Sequence, residues 1–145
     1  MGHWLKRVEA RKDGTVQDSG FAILDTPFVV EYAEEISGRA DFPDDATLDW
    51  TEPVDYDAKL TADDCFEPEP VLESLKWIQG IASKQTKENR LYWERQEKST
   101  VRPEGPLPFS PDALVQRCAH DLGAMIRLCE EARAAGHLVV HVFVP

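Results

Sequence analysis

Cysteine is scarce and unpaired in this chain of 145 residues. There are three, Cys65, Cys118 and Cys129, odd in number, widely spaced and without a Cys-x-x-Cys pair. Neither a zinc knuckle nor a disulfide framework is indicated, so the expectation is reduced thiols in a cytoplasmic protein. Long apolar runs are also missing. The longest, near residues 21–24 and 138–140, fall far short of the ~20 residues that span a bilayer and of a signal-peptide core. Met1–Gly2 opens like a myristoylation site, but Lys6 stands where that pattern needs Ser or Thr. The expectation is therefore no membrane partner. No glycine-rich nucleotide fingerprint, phosphate loop, HExxH or GxSxG run is present, and no cofactor is expected.

One further shortage organises the rest: bases are nearly absent from residues 31–73. That stretch holds 15 acids against Arg39 and Lys59, a charge of -13, whereas the remaining residues carry 12 acids and 14 bases. The whole chain is at -11. Charge this local speaks about encounter partners rather than about fold. It favours a basic protein partner and disfavours direct contact with nucleic acid or an anionic membrane. With 42% apolar and 30% charged residues the composition is that of a folded globule, and the length suits a single domain over 1–145.

The pattern along the chain predicts an α+β fold. Residues 1–61 read as β-rich: Trp4, Lys6, Val8 and Ala10 alternate with Leu5, Arg7, Glu9 and Arg11, and Asp13–Gly14 suits a two-residue hairpin. Strands are expected again at 21–24 and 28–32 around a turn at Asp25-Thr26-Pro27, giving an antiparallel meander. From 48 to 60 the even positions, Leu48, Trp50, Val54, Tyr56, Ala58 and Leu60, are apolar except for Glu52. Period two predicts a strand, or a hairpin turning near Glu52–Pro53, with Asp49, Asp55 and Asp57 aligned on the outer face. A helical region at 70–100 follows the stop at Pro68-Glu69-Pro70. Val71, Leu72, Leu75, Ile78 and Ile81 recur at three and four, and the polar run 83–90 carries the pattern poorly. The proline-rich stretch 101–111 reads as a stiff connector pinned by Leu107 and Phe109. Over 111–145 a helix precedes a strand. Ser110 caps it, Pro111 suits its first position, Val115, Cys118, Leu122, Met125, Cys129 and Ala132 form its stripe, and Gly136 stops it. The strand at 137–144 is apolar on both faces and so belongs in the middle of the sheet.

Most chemical constellations dissolve on inspection. Cys118 and His120 are two apart on a helix, about 200° of rotation, and point to opposite sides. Cys118 and Cys129 belong to the apolar stripe and read as core. His137 and His141 share a strand face but sit roughly 13 Å apart, too far for one metal. His141 reads as a buried histidine satisfied by a neighbour. A calcium loop from Asp55 lacks its central glycine and ends on Phe66 instead of Glu.

One enzyme pattern remains. Pro43-Asp44, then Asp57-Ala58-Lys59 on an expected strand, resembles the Pro-Asp…(Asp/Glu)-x-Lys arrangement of a large nuclease superfamily. The resemblance implies a divalent metal held by Asp44 and Asp57, with Lys59 positioning the attacking water. It covers about 17 residues, and a phosphodiester would have to approach a patch whose charge repels it.

The expected function is accordingly non-enzymatic: a small acidic protein that docks a carboxylate-rich face on a basic, nucleic-acid-binding partner as an inhibitor or decoy. Carboxylates can occupy positions that would otherwise hold phosphates, because guanidinium and ammonium groups accept either. Small acidic immunity and anti-defence inhibitors have similar composition. The candidate contact residues are Asp44, Asp45, Asp49, Asp55, Asp57, Asp63 and Asp64. Leu91, Tyr92 and Trp93 lie among Lys84, Lys87, Arg90, Arg95 and Lys98. As consecutive residues they fan over about 200° of a helix, so at least one must be exposed. Tyr92 or Trp93 is expected to make a second contact, either self-association or a partner groove. The alternative is an accessory subunit of a larger assembly, with this aromatic stretch as its contact.

Overall fold

In the computed structural model, which describes residues 2–24, 28–43, 48–55, 59–99 and 110–144 (without the side chains of 21–24, 99 and 144), the chain opens on a hairpin. Strands β1 (Gly2–Ala10) and β2 (Val16–Leu24) pair antiparallel. The turn between them is one residue longer than the expected two. Gly14 N–H donates to Arg11 O at 3.0 Å and Arg11 N–H to Thr15 O at 2.8 Å, with Lys12, Asp13 and Gly14 at the tip. Gly14 has φ 87°, the left-handed conformation that closes such a three-residue loop and that glycine adopts without strain. Asp13 Oδ1 secures the exit by accepting from Thr15 N and Oγ1.

Among the described residues the sheet has four strands in the order β2-β1-β4-β3, where β3 is Val54–Asp55 and β4 is Leu138–Val144. β4 pairs antiparallel with β1 and parallel with β3, so the sheet is mixed and not a simple meander. The central placement of the last strand is as its two apolar faces require.

Three helices come from periodic stripes. α2 (Pro68–Ala82) buries Val71, Leu72, Leu75, Ile78 and Ile81; Pro68 and Pro70 do not precede it but form its first turn, where a missing N–H costs nothing. α4 (Pro111–Ala135) is capped by Ser110, whose hydroxyl accepts from Ala113 N. It ends on Gly136 at φ 71°, with His137 N–H reaching back to Ala132 O at 2.8 Å. α3 (Lys87–Ser99) lies between them in sequence. Residues 101–109, including Leu107 and Phe109, lie outside the described residues.

The expected strand at 28–32 is instead the start of α1 (Phe28–Ile36), which buries Val29, Tyr32, Ala33 and Ile36. The β-branched pair Val29–Val30 suggests a strand locally, but the buried positions recur at three, one and three, and that stripe decides the conformation. The segment 1–61 is therefore not β-rich throughout.

The strand expected over 48–60 also gives way. Asp49–Thr51 is a tight 3-10 turn, with Leu48 O accepting from Thr51 N (3.0 Å) and from Thr51 Oγ1 (2.7 Å). Of the described residues in this stretch, Val54 and Asp55 join the sheet. Trp50 is the anchor: fully buried, it donates its indole N–H to Ser74 Oγ at 2.9 Å, and Ser74 donates onward to Val71 O. The burial alternation holds in part: Trp50 is inside, Val54 and Leu60 are half-buried and Asp49 and Asp55 exposed, but Thr51, expected outside, is buried beside Trp50. Tyr56 and Ala58 lie outside the described residues.

Both faces of the sheet are apolar. Leu5 and Val139 face the helices and join one cluster with Trp50, Tyr32, Leu75, Leu122 and Met125. Val8, Val140 and Val142 face the other way and pack with Trp4, Val16, Val54, Leu60 and Cys65. The described residues 59–67 thus strap this second face. They are tied down by the bridges Thr15–Thr61 and Phe66–Val139, and by Ala62 N–H donating to Gly14 O at 2.9 Å.

Candidate functional site

The acidic segment is built outward from these ties. Val54 pairs with Val142 and Phe66 with Val139, points roughly 10 Å apart along β4. Of the described residues between them, Leu60 and Cys65 pack in the second cluster, and Asp55, Asp63 and Asp64 are exposed. All the described acids of residues 31–73 are exposed. They are spread over several elements: Glu31, Glu34 and Glu35 lie on α1, Asp49 on the 3-10 turn, Asp55 on β3, Asp63, Asp64 and Glu67 on the chain leading to α2, and Glu69 and Glu73 on α2.

Several of these acids are already engaged. Glu35 pairs with Arg95 at 3.0 Å, Glu69 with Arg133 at 3.0 Å, and Asp41 loosely with Lys84 at 4.0 Å. Asp64 turns inward on its own loop, accepting from Thr61 N at 2.9 Å and from Thr61 Oγ1 at 3.2 Å in a capping box. Glu52, Asp55, Asp63, Glu67 and Glu73 have no cation partner among the described residues. Partial burial, and then the like charge of Glu34, raise the Glu31 carboxyl above the ordinary range.

Of the expected contact residues, Asp63 and Asp64 are exposed on this strap, Asp49 is exposed on the 3-10 turn and Asp55 on β3, and Asp44, Asp45 and Asp57 lie outside the described residues. The nuclease-like arrangement cannot be assembled from what remains. Lys59 is exposed and sits in irregular chain, where the pattern needs a strand. Among the described residues no group of three or more acids, histidines and cysteines is placed to hold a metal ion.

Tyr92 and Trp93 are corrected from contact residues to core. They are 4% and 2% exposed, whereas Leu91 is 43% exposed. The fan of three was sound in exposing one member, but the member is Leu91. Tyr92 and Trp93 are about 100° apart, and α1 and α4 flank α3 on two sides, so both find cover. Trp93 stacks on Tyr32 with ring centroids 5.2 Å apart, and Tyr92 meets the same ring edge-on at 5.2 Å. Burial pushes the Tyr32 hydroxyl up to about 12.

Two polar constructions were not legible beforehand. Asn89, 4% exposed, ties α1, α2 and α3 together. Its Oδ1 accepts from Tyr32 Oη at 2.7 Å and from Arg39 Nη1 at 2.5 Å, and its Nδ2 donates to Ile81 O and Lys84 O, each at 2.8 Å. The only sequence signal was Thr86, whose hydroxyl caps Asn89 N–H at the start of α3. The second is a histidine chain. His141, 1% exposed, shares Nε2 with His3 Nδ1 at 2.9 Å and Nδ1 with Thr51 O at 3.0 Å. His141 was expected to be buried and satisfied, but the identity of its partners was not foreseen.

The cysteines offer no nucleophile. Burial raises the thiols of Cys118 and Cys129 to about 12 and that of Cys65 to about 11, the opposite of what a reactive thiolate needs. Among the described residues no helix is long and apolar enough to cross a membrane. What the surface offers chemically is a set of exposed carboxylates on chain tied to the sheet and to α2. No protein-family model, curated protein or solved structure matches the chain.

Proposed function

We propose that this chain is a small acidic binding protein that docks its exposed carboxylates on a basic protein surface, acting as an inhibitor or decoy of a partner that handles nucleic acid. The observation that carries the reading is the set Glu52, Asp55, Asp63, Glu67 and Glu73, exposed and without cation partners among the described residues. Residues 59–67, which carry Asp63 and Glu67, are held by backbone bridges and a buried apolar cluster. Carboxylates on tied chain lose little entropy on binding, and opposite charge accelerates encounter and sharpens partner choice. Guanidinium groups that grip phosphate accept carboxylate in the same geometry.

The test is affinity capture with the wild-type chain and with a variant carrying Glu52→Gln, Asp55→Asn, Asp63→Asn and Glu67→Gln. A basic nucleic-acid-binding protein retained by the first and lost by the second supports the reading. Retention by both removes these carboxylates from the contact.

A second reading, an accessory subunit of a larger assembly, is favoured by Trp77 and Leu91, the large apolar side chains left 46% and 43% exposed on α2 and α3. In that case the carboxylates confer solubility, and the partner is recognised through those helices.

A further inference from the structure

Thr51 O in the 3-10 turn, His141 in the middle of β4 and His3 on β1 form one hydrogen-bonded chain across the helix-facing side of the sheet. Its fixed member sets every tautomer. Thr51 O can only accept, so His141 Nδ1 holds a hydrogen and Nε2 is bare. The hydrogen between the rings then belongs to His3 Nδ1, and His3 Nε2 is bare in turn. That last nitrogen meets no protein group among the described residues and is not buried. The His3 ring also lies on Phe143, with centroids 4.9 Å apart. These contacts hold the end of the ladder, where Gly2 and His3 pair with Val144 and Phe143.

Such a chain accepts one proton without breaking and cannot accept two. A first proton enters at His3 Nε2 and leaves the N–H···N bond standing. A second must take His141 Nε2, which turns the acceptor of that bond into a donor and sets two cationic rings with centroids 5.0 Å apart. The bond to Thr51 survives, since His141 Nδ1 still donates, so the link to His3 is the one that gives way. Among the described residues, the elements packed against β4 bring other charged or titratable groups to this side. β1 brings Arg7, held by Glu131 of α4 and by Ser19 O; β3 brings Asp55, exposed beside Phe143; the turn brings exposed Asp49; and α4 buries Cys118, Asp121 and Cys129. His3 is the group whose charge is felt at His141. Burial first, and then that charge, lower the His141 pKa to about 4, which places the second proton in the acid range.

We propose that His3 and His141 form an acid-operated latch: closed with no proton or one added to the pair, and open with two, when the His3 ring leaves Phe143 and the first residues of β1 peel from β4 while the helices stay in place. Ladder ends open at lower cost than the core, which keeps the change local. Asp55 is the β3 neighbour of Phe143, so acid also disturbs the docking surface. That consequence rests on the docking reading, whereas the latch is tested on the chain alone, and either can fail without the other.

The experiment follows the histidine ring nitrogens of the ¹⁵N-labelled chain by long-range proton–nitrogen correlation, together with the amide spectrum, from neutral pH to about pH 3.5. The expected result is both rings in the Nδ1–H form at neutral pH and two titration steps, His141 second. The amides of His3 and Phe143 should move with the second step, and those of α2 and α4 should not. His141→Gln keeps a donor for Thr51 O and an acceptor for His3 but takes up no proton, and its His3 and Phe143 amides should stay in place throughout. His3→Gln, a change at a half-buried strand end, removes the neighbouring charge and should move the His141 titration to higher pH. His141 in the Nε2–H form, sheet-end amides that move equally in His141→Gln, a His141 titration unaltered in His3→Gln, or helix amides lost in the same step overturns the latch.

Discussion

His3 Nδ1 lies 2.9 Å from His141 Nε2, and the other nitrogen of His141 lies 3.0 Å from Thr51 O. A carbonyl can only accept, so His141 carries its proton on Nδ1 and presents a bare Nε2 to the N–H of His3. The arrangement links β1, β4 and the 3-10 turn, and it works only while the His141 ring is neutral. Burial, and then the charge of His3, lower its pKa from 6.5 to about 4.

The first prediction concerns acid stability. Unfolded, His141 takes up a proton near pH 6.5, but folded it resists protonation until about pH 4. Its neutral form is therefore favoured by the fold, and stability is lost as pH falls from about 6.5 toward 4. The full effect is up to about 3 kcal/mol. Chemical denaturation at intervals from pH 7 to pH 4 should show the loss, and His141→Leu should flatten this part of the profile. A wild-type profile already flat over that range contradicts the assignment.

The second concerns Asn89. Asn89→Ala strands the Tyr32 hydroxyl, the Arg39 guanidinium and the Ile81 and Lys84 carbonyls. The expected loss is about 3 kcal/mol, since each buried partner left unsatisfied costs ~1 kcal/mol or more. Urea midpoints read it directly, and a loss as small as that of an ordinary surface change would remove Asn89 from the framework.

The third separates core from surface on α3 and α2. Tyr92→Ala and Trp93→Ala should each cost about 3–5 kcal/mol, whereas Leu91→Ser and Trp77→Ser should stay within ~0.5 kcal/mol. Sedimentation of the same variants adds the functional half. If the helices carry the partner contact, the two surface changes abolish association while melting as wild type does.

The fourth is kinetic. With a verified basic partner, neutralising Asp55 and Asp63 to Asn should slow association several-fold at low salt and leave dissociation nearly unaltered, because rim charge acts on encounter. An association rate that ignores both the substitutions and salt would place the contact elsewhere.

What the sequence disclosed depended on how local the signal was. The place of the β1–β2 turn (though not its length), the stripe of α2, the Ser110 cap and the Gly136 stop are written within a few residues, and each is readable. α1 was misread because a five-residue window shows Val29–Val30 and hides the stripe that reaches Ile36. Over 48–55 the order of Asp49, Trp50, Val54 and Asp55 matches period two while Thr51 breaks it, because a tight turn anchored by Trp50 buries two successive residues where a strand would bury one. The burial of Tyr92 and Trp93 depends on packing against other elements, above all on Tyr32 of α1, some 60 positions earlier. Asn89 bonds Tyr32, 57 positions away, and His3 meets His141 across 138 positions. Periodicity carries no trace of such pairs.

The place of β4 in the sheet has a consequence for how the chain reaches its native state. β4 follows every other element in sequence, yet β1 pairs on one side of it and β3 on the other, while Phe66 bridges to its Val139. Until residues 138–144 arrive, the β1–β2 hairpin lacks its inner neighbour, the strap has nothing to lie on, and Val8 stays in water. Loop closure across most of the chain must precede the reward of burial, so the reaction is expected to be slow for this size and nearly all-or-none. A ribosome would hold the hairpin, α1 and α2 as an unfinished surface through most of synthesis, and the dense negative charge of residues 31–73 would keep such nascent chains apart.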